Sequence, residues 1–453
     1  LVIEEIKIKM EIIQNLLPNF SNIFYIAYLF VFKYYGWVIF VLGAVRILWH
    51  VYYHEIQHQY VHQQEWVFLQ IKVPKENMVS TLAVEQIFNQ LHVLHGGKTF
   101  IDLYAEGQIQ LWYSLEIVSF GGKISFIIRT PKKVKDVVEA AFYSQYPQAE
   151  ISEIEDYMAN FNYDPENPGD YEFFGMEWKL DENEVLPIKT YKDFEHPAAE
   201  ETIVDPLSLM YENLAKIAPY EFMAFQIIIQ PLADEEWHFK GINKIKELIG
   251  EEAHHEASFL GFLMSPFEKF SKFNYSETLF GGAHGHGANE NKPKNNWMSM
   301  TETEKERVSL IEKKIGKPGY KTKIRTLYIA PKDKFDNNKR ALMPGPYRAL
   351  GSINSNKLKP DTNTWTGIDP MYSKTLEQFY LERALKKRKK FMMKGYKNRE
   401  IHIGRPMFVL NVEELATLYH FPITTKTTLA PSSVEKTESK RSQPPANLPI
   451  SEL

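Results

Sequence analysis

The apolar and polar positions of this chain change period several times. Asn22 to Tyr53 is almost wholly apolar and aromatic, interrupted by Lys33 and Arg46. As a helix it would run roughly 48 Å, more than the ~30 Å hydrocarbon core of a bilayer requires. It predicts a transmembrane helix with its core at Tyr34–Trp49 or, in the alternative frame, Phe24–Val45. Lys33, Tyr34, Tyr35, Arg46 and Trp49 suit the snorkelling cations and interfacial aromatics of such an anchor. A buried core helix is the competing reading, although core helices seldom run so long without a polar face. Residues 1–17 are amphipathic and read as a helix lying on the membrane surface or against the anchor.

From Trp66 the period drops to two. Val67, Leu69, Ile71 and Val73 share one face of a strand, with Gln70 and Lys72 opposite. Val84, Ile87, Phe88 and Leu91 then mark a helix capped at Ser80 or Thr81. Two alternating runs around Gly121-Gly122 predict a tight hairpin. A second helix follows, with Val134, Val137, Val138, Ala141 and Phe142 on one face, and Ala149–Tyr157 reads as a weaker strand. The order over 66–157 is β-α-β-β-α-β, the ferredoxin-like plan.

Residues 161–183, acidic and aromatic with Pro and Gly, read as a linker. A second, irregular α/β domain is expected over 184–422. It would hold strands at 185–191, 220–232 and 320–331, helices at 205–217, 237–253 and 301–316, and a flexible insertion at about 250–300. A basic helix around 375–399 and a short strand and helix at 407–422 complete it. The tail, 423–453, is polar and proline-rich and is expected to be disordered. The expected fold class is α+β: an amphipathic segment (1–21), a transmembrane and juxtamembrane helix (22–65), a ferredoxin-like domain (66–160), then the second domain.

A net charge of −4 over 453 residues names no partner. The absence of cysteine excludes disulfides, thiolate metal sites and cysteine nucleophiles. His54-Glu55-Ile56-Gln57-His58 matches the His-Glu-x-x-His pattern. That pattern puts two imidazoles one helical turn apart, with a glutamate placed to activate a metal-bound water. The alternative function it allows is a membrane zinc protease using His54, Glu55 and His58. Glu76 and Glu85 are candidate third ligands only, and no family spacing marks them. With His50 and His62 the stripe spans about 18 Å, too long for one ion. His284 and His286 lie in the insertion, and His254-His255 follow an acidic pair, as solvated segments do.

No phosphate-binding loop of the G-x-x-x-x-G-K-[ST] kind is present, nor a G-x-S-x-G nucleophile elbow. The expectation is therefore a protein that is not an enzyme and needs no cofactor. Arg383, Lys386, Lys387, Arg388, Lys389 and Lys390 could contact nucleic acid or anionic lipid, or form an ordinary solvated helix face. A membrane-tethered nucleic-acid-binding protein is thus a third functional class.

Trp66–Glu76, Tyr113–Pro131, Phe142–Tyr157, Ala349–Pro360, Phe408–Pro422 and Pro444–Pro449 together resemble one bacterial family. It is the amino-terminal, pre-ATPase region of type IV secretion or conjugative DNA-transfer coupling-type proteins of candidate-phylum bacteria. The resemblance implies an accessory or scaffold for a motor ATPase at the inner, cytoplasmic membrane, single-pass, with its soluble part in the cytoplasm. It also implies a homo-oligomer and DNA as partners. The sequence stops at Leu453, where that family's ATPase core would begin. The resemblance supplies no catalytic residue within this region.

Overall fold

The computed structural model describes residues 37–437 other than 75–76, 160, 162–163, 165–168, 195–204, 250–299, 368–376 and 424–435. The expected amphipathic segment, Lys33, Tyr34 and Tyr35, Glu76, the histidines at 254, 255, 284 and 286, and most of the tail lie outside the described residues. The chain divides into two compact units, 1–63 with 98–109, and 64–97 with 110–453.

In the first unit, α1 spans Trp37–His62 and α2 is a short helix at Phe100–Tyr104. Thr99 and Asp102 cap α2 reciprocally: Asp102 N–H donates to the Thr99 hydroxyl at 3.3 Å and Thr99 N–H to the carboxylate at 2.8 Å. Tyr104 gathers the rings of Trp49 (5.9 Å), Tyr53 (5.4 Å) and Phe100 (4.7 Å). Gly107 has φ +65°, and a Cβ there would sit 2.5 Å from the Ile56 carbonyl carbon, so glycine is required.

The expected membrane-spanning helix is corrected. Among the described residues no helix is long and apolar enough to cross a membrane. Within α1 the predominantly apolar run ends at Trp49, and both expected frames, Tyr34–Trp49 and Phe24–Val45, begin outside the described residues. Beyond Trp49 stand His50, His54, Glu55, Gln57, His58 and Gln59. Arg46 sits within α1, and Trp49 packs on Tyr52 and Tyr104.

The second unit is built on one large sheet. Its first four strands are β1 (Trp66–Pro74), β2 (Tyr113–Phe120), β3 (Lys123–Pro131) and β4 (Glu150–Ile154). They pair antiparallel in the order β4-β1-β3-β2. Gly121 and Gly122, at φ +56° and +88°, make the β2–β3 turn, which needs left-handed backbone at both positions. The next strands are β5 (Tyr171–Leu180), β6 (Phe222–Pro231), β7 (Gly319–Pro331) and β8 (Leu358–Pro360), paired in the order β6-β7-β5-β8. This half repeats the strand order of the first.

The two halves meet where β2 runs antiparallel to β6, from Tyr113 opposite Ile229 to Phe120 opposite Phe222. The expectation of a ferredoxin-like domain separate from a second domain is therefore corrected. Nine strands, with β9 (Phe408–Asn411) on β7, form one antiparallel sheet. Lys436–Thr437, strand β10, adds a parallel pair to the end of β1.

Two further readings change. Residues 171–180, placed in the linker, form β5. Phe173 to Trp178 are buried on both sides, so the alternation that marks a one-faced strand is missing. Residues 185–191, read as a strand, instead pack Val185, Leu186, Ile188 and Tyr191 into the core without joining the sheet.

One face of the sheet carries α3 (Thr81–His92), α4 (Lys135–Gln145), α5 (Ser208–Ala215) and, later in the chain, α6 (Val412–Leu418). Val84, Ile87, Phe88, Phe142, Leu214 and Leu415 bury there against Leu69, Ile117, Phe126, Phe225 and Ile324. Val137, expected on the buried face of α4, is 44% exposed. A satellite core joins α7 (Asp234–Ile249) and α8 (Glu302–Ile315) through Trp237, Ile311 and Ile315. The opposite face of the sheet is covered by α9 (Glu377–Lys397), through Met392, Met393 and Tyr396.

Candidate functional site

Two carboxylates rise from the sheet beneath the C-terminal end of α9. Glu116, on β2 beside the seam between the halves, is fully buried. It accepts from Arg399 Nε (3.0 Å) and Nη2 (3.2 Å), Ser114 Oγ (2.6 Å), Tyr157 OH (2.6 Å) and Gln226 Nε2 (3.0 Å). Burial alone would raise its pKa, but Arg399 and the two hydroxyls outweigh that and hold the carboxyl below its usual range. Arg399 also donates to Asp156 at 2.7 Å and stacks 4.6 Å from the centre of Phe68. It is the one described non-glycine residue at positive φ, +53°.

Glu177, on β5, is 2% exposed and accepts from Arg325 Nε at 2.9 Å and from the Arg405 backbone N–H at 2.6 Å. Arg325 spends its other donors on the carbonyls of Gly395 (2.8 Å), Glu400 (2.7 Å) and Ile403 (2.7 Å). Lys323 adds bonds to the carbonyls of Ile401 and Ile403. Cations thus meet one carbonyl in the last turn of α9 and others in the loop after it, at the negative end of the helix dipole. These bonds clamp residues 395–405 onto the sheet.

Burial, with Arg325 beside it, pushes the Lys323 ammonium down to about 8, against the pull of Glu177 and Glu400. A lysine whose folded pKa is depressed binds fewer protons folded than unfolded between about 8 and the ordinary lysine value. Stability should therefore rise with pH through that window, by up to roughly 3 kcal/mol. Guanidinium unfolding at pH 7.5 and at pH 10 measures it. Lys323→Met should flatten the rise, and an equal rise in that variant would refute the assignment.

Beside the clamp lies a cleft of about 380 Å³, lined by Asn363, Thr364, Arg388, Phe391, Met392 and His402, with Glu177, Ile403 and Gly404 at its inner side. Gly404, at φ +89°, has its Cα so close to Glu177 that a Cβ would lie 2.1 Å from the carboxylate.

The structure sorts the sequence-expected cations. Arg383, Lys386, Lys387 and Lys390 are on the exposed face of α9. Arg388 turns to the cleft and donates to the Thr362 carbonyl at 3.5 Å. Lys389 is buried further and pairs with Glu172 at 2.5 Å, so it belongs to the inner face. Lys394 and Phe391 share the exposed side and extend the expected cluster by about one turn.

The His-Glu-x-x-His segment lies on α1. The rings of His54 and His58 are 6.5 Å apart, and Nε2 of His58 faces Nε2 of His62 at 3.2 Å. Glu55 accepts from Gln59 at 3.0 Å. Glu85 is engaged by Lys317 (2.6 Å) and Tyr191 (2.7 Å). Among the described residues no group of three or more His, Asp or Glu could hold a metal ion. No protein-family model and no curated protein matches this chain.

Proposed function

We propose that this chain is a non-catalytic scaffold of a conjugation-type secretion machine, on which a motor ATPase docks at the cytoplasmic side of the membrane. The observation that carries the reading is the place of the resembling segments. Trp66–Pro74, Tyr113–Pro131, Phe142–Ile154, Ala349–Pro360 and Phe408–Pro422 all belong to one unit. There they supply β1, the β2–β3 hairpin, the end of α4 with β4, β8, and β9 with α6. Their buried polar groups serve architecture. Asn356 donates to the carbonyls of Asn183 (2.9 Å) and Leu186 (3.2 Å), and Asn411 caps α6 through the Glu414 N–H at 2.9 Å. Buried bonds of this kind tie segments distant in the chain to one another, which suits a platform.

The test is affinity purification of the tagged, detergent-extracted chain from its native host, read by mass spectrometry, with an ATPase assay on the isolated chain. An ATPase carrying a phosphate-binding loop should co-purify with other channel subunits, and the isolated chain should not hydrolyse ATP. ATP turnover by the chain alone, or stoichiometric zinc with no motor subunit, would overturn the proposal.

A further inference from the structure

We infer that α9 and its flanking cleft bind a single-stranded nucleic acid, with phosphates along the helix's cationic stripe and one base seated against Phe391. This goes beyond the scaffold reading and does not rest on it. Lys387, Lys390 and Lys394 are exposed and follow one another at one per helical turn, about 5 Å apart along the axis. Arg383 and Lys386 share that face by register. Phe391 is 45% exposed and stands between the stripe and the cleft. Lys387 Nζ lies 5.7 Å from the centre of its ring. Arg388 and His402 border the same cleft, and Asn363 and Thr364 offer hydrogen-bonding groups to a base edge. A cationic track with an aromatic face at its margin is how proteins hold single strands, because every base has a face to stack and every nucleotide a phosphate.

Two competing occupants fit less well. A helix that lies in a membrane turns its apolar face outward. Here Met392, Met393 and Tyr396 are buried against the sheet, leaving Phe391 as the exposed apolar side chain of the described C-terminal half. An acidic peptide would meet the same cations but brings no base to stack on the exposed ring of Phe391.

The experiment is fluorescence anisotropy of a labelled twenty-residue oligo-dT with the purified full chain across a salt series. Binding should weaken with salt. Joint reversal of Lys387, Lys390 and Lys394 to Glu should lower the logarithmic salt slope by about 2, near 0.7 for each phosphate no longer neutralised. Phe391→Ala should weaken binding roughly 5- to 150-fold with the slope unchanged. Phe391→Tyr, which keeps the ring, should retain it, and circular dichroism melts should match the parent for all three. No binding in 50 mM salt would overturn the inference, as would unchanged binding by Phe391→Ala. Equal affinity for polyglutamate or for phosphatidylglycerol vesicles would overturn it too, in favour of a general polyanion or a membrane surface.

Discussion

Arg399→Ala is expected to lower the free energy of unfolding by about 3–5 kcal/mol, because it strands the Glu116 carboxylate in the interior. Ser114, Tyr157 and Gln226 would still donate to Glu116, but no positive charge would bond it, and Asp156 would lose its 2.7 Å partner. Urea unfolding of parent and variant measures the loss. The paired substitution Glu116→Gln with Arg399→Met should recover a large part of it, since removing both charges also removes their desolvation. Arg399→Gly separates the two terms, because glycine adopts φ +53° without strain. A loss below about 1 kcal/mol in Arg399→Ala would show that the pair holds little of the fold together.

Gly404→Ala should cost roughly 3 kcal/mol and loosen the inner side of the cleft. The new methyl would meet both oxygens of Glu177, at 2.1 and 2.3 Å. That carboxylate cannot retreat while Arg325 and the Arg405 N–H hold it. Left-handed backbone at φ +89° adds its own penalty for any residue with a Cβ. Hydrogen exchange of the 400–405 amides should accelerate beyond what the global destabilisation explains. A parent-like melt and parent-like exchange would mean that the loop re-seats at little cost.

Much of the local structure was legible because burial there is one-sided. β1 alternates, with Val67, Leu69, Ile71 and Val73 inward. The Gly121-Gly122 turn announced its hairpin by backbone need alone. What failed were elements whose environment is set from far away. β5 is covered on both faces, and Glu177 within it looks like a surface residue until Arg325 is placed beside it. The union of two halves into one sheet was not readable either. It depends on β2 accepting β6 as a neighbour, and both are apolar runs that would suit any central position. The cations of α9 were visible in sequence, whereas the division between the outward Lys390 and the inward Lys389 depends on Glu172 lying under the helix. The partners of the clamp are too distant for any pattern: Glu116 and Arg399 are separated by 283 positions.

That distance bears on how the protein is made. α3 packs on α6, Asn77 donates to the Pro422 carbonyl at 3.1 Å, and Glu85 receives its lysine from position 317. At ordinary ribosomal rates α6 emerges on the order of 15 to 65 s after α3. Throughout that interval Leu91 and its neighbours await the helix that covers them, and for the first part of it β2 awaits β6. A nascent chain holding both an uncovered helix face and an open strand edge is a natural client for a holdase chaperone. Slowing translation after β3 should therefore raise the aggregated fraction more than slowing it after α6.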